Sequence, residues 1–107
     1  MSAEFVQLAK VTDVPAGEAR VFSVAGISIA LCHAEGKFYA VANLCSHDNG
    51  PLGEGQLSDC EIECPRHGAR FDIVSGKALC LPAVKSIPTY PTELRGDAVW
   101  VKVPTNV

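Results

Sequence analysis

The chain has 107 residues, 48% of them hydrophobic and 20% charged, with a formal net charge of −3. This is the composition of one compact domain rather than a disordered segment, and the acidic balance gives no footprint for nucleic acid. No run approaches the roughly eighteen apolar residues of a membrane span, and Met1-Ser2-Ala3-Glu4 lacks a basic-then-apolar leader; a cytoplasmic protein without a membrane partner is expected.

Short β-type runs separated by turn residues make up most of the chain. Phe5–Val11 reads as a first strand, followed by the turn Asp13-Val14-Pro15-Ala16-Gly17. A second strand is expected over Ala19–Val24, and Gly26 separates it from a third at Ile27–His33. Glu35-Gly36 reads as a hairpin turn into Lys37–Ala42, which is rich in aromatic and β-branched residues.

From Asn43 to Gly55 the pattern gives way to loop residues. Strand periodicity returns over Asp59–Cys64, where Cys60, Ile62 and Cys64 alternate with Glu61 and Glu63. Pro65–Gly68 forms a second loop, Ala69–Val74 resumes strand character, and Ser75-Gly76 turns the chain again. Leu79–Leu81, Ser86–Tyr90, Thr92–Leu94 and Ala98–Val103 are the remaining strand candidates, the last after a Gly96-Asp97 turn. No amphipathic helix of useful length is apparent, so an all-β sandwich or barrel-like domain is expected.

Two segments carry chemistry. Cys45-Ser46-His47 and Cys64-Pro65-Arg66-His67 each offer one thiolate and one imidazole. Together they make a donor set of two sulfurs and two nitrogens, soft enough for zinc or iron–sulfur and unsuited to calcium or magnesium. Zinc sites of this stoichiometry usually pair Cys with Cys on a hairpin and His with His on a helix. Here both pairs are mixed and no helix is available. A 2Fe–2S centre with two cysteines on one iron and two histidines on the other accommodates the arrangement, with zinc as the alternative. The five cysteines are odd in number, and two fall in this ligand pattern, which argues against a disulfide framework.

Cys45-x-His47 with Cys64-x-x-His67, followed by Gly68-x-x-Phe71-Asp72, resembles the Rieske family. Within it the chain is most similar to the small Rieske-type ferredoxins of bacterial multicomponent oxygenases. The resemblance extends over nearly the whole chain, including Asp13-Val14-Pro15-Ala16-Gly17 and Leu81-Pro82-Ala83. It implies a base of antiparallel sheets with an inserted cluster-binding subdomain over about 43–83, in a single domain spanning 1–107. It also implies one Rieske 2Fe–2S cluster held by Cys45, His47, Cys64 and His67, with the two histidines toward the surface.

The implied role is electron transfer, not catalysis. A flavoprotein ferredoxin reductase would be the donor and a terminal non-haem iron, ring-hydroxylating oxygenase the acceptor, with the chain acting as a monomer. Two other functions share features with this pattern: the small subunit of an assimilatory nitrite reductase, and a zinc-stabilised interaction module.

Departures from the wider family refine the reading. Gly50 and Arg66 stand where quinol-oxidising relatives carry a disulfide between the cluster loops. Ala69 and Phe71 stand where those relatives have Ser and Tyr, whose hydroxyls stabilise the reduced cluster. Loss of those hydrogen bonds lowers the potential.

Other residues have simpler readings. Cys60, on the inward side of its expected strand, and Cys32 and Cys80 read as small buried hydrophobes. His33 reads as a surface histidine and Trp100 as core or partial core. Gly68 reads as a point of close approach, and Pro82 as a fixed φ. Pro65 holds Cys64 extended. Between Cys45 and Asp72 lie six acids, Asp48, Glu54, Asp59, Glu61, Glu63 and Asp72, against Arg66 and Arg70. This local charge is either ordinary solvation or a steering surface for a basic partner, and the two arginines either balance it or touch a partner.

Overall fold

A computed structural model describes residues 2–24, 26–44, 52–53, 55–65, 68–79 and 85–105. In chain order the strands are β1 (Ser2–Lys10), β2 (Ala19–Val24), β3 (Ile27–Ala34), β4 (Lys37–Ala42), β5 (Leu57–Ser58) and β6 (Glu61–Glu63). They continue with β7 (Arg70–Asp72), β8 (Thr89–Tyr90), β9 (Thr92–Arg95) and β10 (Ala98–Thr105). Among the described residues the one helical element is a 3-10 turn at Val11–Asp13.

Three antiparallel sheets result. One has the order β1-β10-β9, a second β2-β3-β4-β8, and a small third β5-β6-β7. The second sheet is the middle layer, and β3 shows why. Ile29 and Leu31 are fully buried and pack with Val99, Val101 and Val103 of β10. Alternate residues Ala30, Cys32 and Ala34 face the opposite way, into a cluster with Leu52, Ile62, Cys64 and Phe71. Strand side chains alternate between faces, so an apolar run such as Ile29–Cys32 is stable only where both faces are covered.

Turn chemistry sets the registers. Glu35 and Gly36 both have positive φ, 52° and 75°, the conformation of the two-residue turn that matches strand twist. It places His33 opposite Phe38 and Cys32 opposite Tyr39. The strand runs one residue beyond the expected His33, to Ala34.

Several expected strands are shorter, longer or divided. Asp59–Cys64 is not a single strand: Asp59 and Cys60 form the turn between β5 and β6, with Asp59 at φ 52°. Alternation across a two-residue turn looks like one strand in sequence, and aspartate tolerates the left-handed conformation. Strand β7 stops at Asp72 because its Oδ1 accepts the N–H groups of Val74 and Ser75, at 2.8 and 3.2 Å, and turns the chain.

Ser86–Tyr90 contracts to Thr89–Tyr90. The Ile87 N–H is committed to the Gly76 carbonyl at 2.8 Å, and Pro88 has no N–H to give a ladder. Leu79 lies outside the strands, although its N–H donates to Arg70 O at 2.8 Å; residues 80 and 81 of that expected strand lie outside the described residues. The first strand begins at Ser2 and ends at Lys10, whose N–H is held by Asp13 Oδ2 at 2.9 Å, and the last strand extends to Thr105.

The layered core predicts a contrast in stability. Ile29→Ala should lower unfolding free energy by about 2–5 kcal/mol, while Leu94→Ala, at an exposed position, should change it by less than about 0.5 kcal/mol. Urea denaturation of the two variants against the parent checks this.

Candidate metal centre

Of the four expected ligands, Cys64 lies among the described residues, while Cys45, His47 and His67 lie outside them. Cys64 directly follows β6 and is fully buried beside Leu52, Ile62 and Phe71. Its N–H donates to Ala69 O at 2.6 Å, and its carbonyl accepts from the Gly68 N–H at 3.0 Å. The main chain is thus paired on either side of residues 66–67, with Glu63 facing Arg70. A buried thiol fixed through its own backbone fits a thiolate ligand of a water-poor centre. Among the described residues no three metal-ligating side chains gather into a separate site.

Gly68 is needed for a different reason from close approach. Its φ is 74°, and an added Cβ would come no nearer than 3.9 Å to Glu63 Oε2. The constraint is conformational, because an L side chain is strained in that region. Residue 55 is where backbones do approach closely: a Cβ on Gly55 would fall on the carbonyl of Glu63.

The acidic segment is partly committed to local structure. Asp72 caps the turn after β7, and Glu63 Oε1 sits 3.4 Å from Arg70 Nε. Asp59 is exposed and Glu61 half-buried, while Asp48, Glu54 and Arg66 lie outside the described residues. Ala69 and Phe71 are fully buried, so both positions are apolar core. Gly50 and Pro82 are also outside the described residues.

Among the remaining cysteines, Cys32 is a core residue whose thiol is pushed up to about 12 by burial. Cys60 matches its sequence reading in part, since it packs against the core cluster that contains Cys64. It sits in the β5–β6 turn, half-buried, and its thiol donates to Glu35 Oε1 at 2.9 Å. That hydrogen bond, followed by burial and the charges of Glu35, Asp72 and Asp59, pushes it up to about 11. The strand period could not show this, because Glu35 comes from a turn 25 residues earlier. Cys80 lies outside the described residues.

His33 is not a free surface histidine. Its Nδ1 lies 2.9 Å from the carbonyl of Val14, which can only accept, so Nδ1 carries the proton. The ring also stacks on Phe38, with centroids 4.2 Å apart. Trp100 is half-buried beneath the Arg95 guanidinium, 4.4 Å from the ring centroid, consistent with partial core.

Comparison with known proteins adds the family context. The family model described as "Rieske [2Fe-2S] domain" matches residues 4–91. A ferredoxin component of naphthalene 1,2-dioxygenase/salicylate 5-hydroxylase systems from Ralstonia sp is 41% identical over 103 residues, covering 96% of this chain and 99% of that protein. The ferredoxin subunit of 3-phenylpropionate/cinnamic acid dioxygenase from Shigella boydii is 43% identical over 95 residues, covering 88% and 89%.

Among solved structures, one of a complex of reduced oxygenase and oxidised ferredoxin in carbazole 1,9a-dioxygenase contains a chain that superimposes with a TM-score of 0.87. That chain is 25% identical, with 96% of each covered. A putative nitrite reductase small subunit superimposes at 0.81 with 17% identity, covering 92% of this chain and 97% of its own, a likeness of fold alone.

Cys60 gives a test independent of the metal. A hydrogen bond to a carboxylate favours the neutral thiol, so reactive thiolate should accumulate only as pH climbs toward about 11. Alkylation of Cys60 near pH 8, followed by peptide mass spectrometry, should be slow in the parent. Glu35→Gln should accelerate it at least about tenfold, since one pKa unit is a factor of ten in thiolate near that pH. Cys60→Ala should leave the visible spectrum unchanged.

Proposed function

The chain belongs to the Rieske [2Fe-2S] domain family, and from that membership we propose that it is the ferredoxin component of an aromatic-ring-hydroxylating oxygenase system. It carries single electrons from an NAD(P)H-dependent flavoprotein reductase to a terminal non-haem iron oxygenase. The observation that carries this reading is similarity over nearly the full length of both chains to ferredoxin components of dioxygenase systems. A ferredoxin bound to its oxygenase in the carbazole system supports the acceptor.

Cys45 and Cys64 would hold one iron, and His47 and His67 the other. A Rieske centre supplies reversible one-electron chemistry over a wide range of potential. With four protein ligands no coordination position is left for a substrate, so the chain is a carrier rather than the oxygenase. Residues 43–83 form the cluster-binding subdomain, a reading supported by the small β5-β6-β7 sheet that falls within them. On this reading the protein works as a cytoplasmic monomer. Among the described residues no helix is long and apolar enough to cross a membrane.

The protein's own residues set where the potential lies. Hydrogen bonds to cluster sulfur stabilise the more negative reduced state. Ala69 and Phe71 have no hydroxyl to donate and are sealed in the core. The potential is therefore placed toward the low end of the Rieske range, on the order of −150 mV.

The purified protein should be reddish-brown and bleach with dithionite, whereas a zinc protein would be colourless. Cys64→Ala and His67→Ala should each abolish the colour. An NADH-dependent flavoprotein reductase should reduce the parent, and the reduced protein should restore turnover of a ring-hydroxylating oxygenase. In dye-mediated titration, a midpoint above about +100 mV would overturn the assignment of low potential.

A further inference from the structure

Asn43 follows β4 and stands two residues before Cys45 in sequence. Its backbone N–H donates to Ser28 O at 3.0 Å, and its side-chain Nδ2 donates to Ser28 Oγ at 3.1 Å. Its Oδ1 accepts two backbone N–H groups, Leu52 at 2.8 Å and Gly53 at 2.6 Å. The amide's orientation is settled by chemistry: two N–H donors require the carbonyl oxygen, and the nitrogen is left to the hydroxyl.

One side chain therefore joins β3 to residues on either side of the stretch that carries Cys45 and His47. The connection continues toward Cys64. Leu52 O accepts from the Gly55 N–H at 2.9 Å, and Gln56 O accepts from the N–H of Glu63, the residue before Cys64, at 2.9 Å. Leu52 is itself fully buried in the cluster of side chains that contains Cys64. Gly53 keeps the clamp close, because a Cβ there would collide with Val21 and lie 3.2 Å from Asn43 Oδ1.

We propose that Asn43 is a positioning residue for the metal centre: its amide, oriented by Ser28, fixes the distance between the two ends of the segment that carries Cys45 and His47. The proposal rests on the ligand assignment made above. Asn43 touches neither iron nor sulfur in this scheme; it acts by tying Leu52 and Gly53 to the end of β4. Partners beyond the ligands commonly control metal retention in this way, their loss costing roughly 10–100-fold.

The test compares the holoprotein with Asn43→Leu, Asn43→Asp and Ser28→Ala. Leucine removes every side-chain hydrogen bond at similar size. Aspartate can still accept both N–H groups and can receive the Ser28 hydroxyl. Each variant is measured for the EPR spectrum of the reduced state, the rate of iron loss to a chelator, the thermal midpoint, and amide exchange at Leu52 and Gly53.

Asn43→Leu should expose both amides, alter the EPR signal and speed iron loss roughly 10–100-fold. Asn43→Asp should remain close to the parent in all of these, and Ser28→Ala should shift in the direction of leucine by a smaller amount. A folded Asn43→Leu protein that loses amide protection but keeps the parent's signal and rate of iron loss would overturn the proposal. So would an aspartate variant as impaired as leucine. Should Asn43→Leu fail to fold, Ser28→Ala decides: a shifted signal with faster iron loss supports the proposal, and unchanged values reject it. A colourless parent protein would instead defeat the ligand assignment itself, an outcome visible before any variant is compared.

Discussion

Burial of β3 on both faces is the constraint on which the rest of the molecule depends. Ile29 and Leu31 hold the sheet of β1, β9 and β10, while Ala30, Cys32 and Ala34 receive the layer that contains Cys64. Full burial of an aliphatic side chain is worth about 1.5–3 kcal/mol, so neither outer layer can be withdrawn without exposing part of the middle sheet. The small residues on the metal-side face have a further effect: they allow residues 52–53 to lie close to the sheet. The Asn43 amide, itself bonded to Ser28, then reaches the N–H groups of that segment.

Around Cys64 the protein relies on backbone rather than on charged side chains. Two main-chain hydrogen bonds pair the chain there, between Cys64 and Ala69 and between Gly68 and Cys64. Gly55 brings another stretch of main chain against Glu63. The Glu63–Arg70 pair adds little stability, being largely exposed and 3.4 Å apart. Asp72 is likewise occupied with the turn that follows its strand. Of the described acids in that segment, Asp59 and Glu61 have neither of these roles.

How much of this could be read in the sequence depended on how local each feature is. The β3–β4 hairpin was legible because Glu35-Gly36 and its flanking apolar residues are adjacent in the chain. The four expected ligands stood out because their side-chain chemistry is rare at that spacing, and Cys64 proved to be fixed through its own backbone. The β5–β6 hairpin was hidden because a two-residue turn leaves alternation intact. Asn43 gave no signal: its side chain bonds residues nine and ten positions ahead and fifteen behind. His33 was similarly opaque, since its partner carbonyl belongs to Val14, nineteen residues away.

The two described cysteines outside the expected ligand set are kept as thiols by separate means. Burial in the middle sheet pushes the Cys32 thiol up to about 12, and the hydrogen bond to Glu35 pushes that of Cys60 up to about 11. One is closed to solvent, while the other sits in the turn of the small sheet that leads into Cys64. The two positions therefore differ in access to a reagent although both resist ionisation.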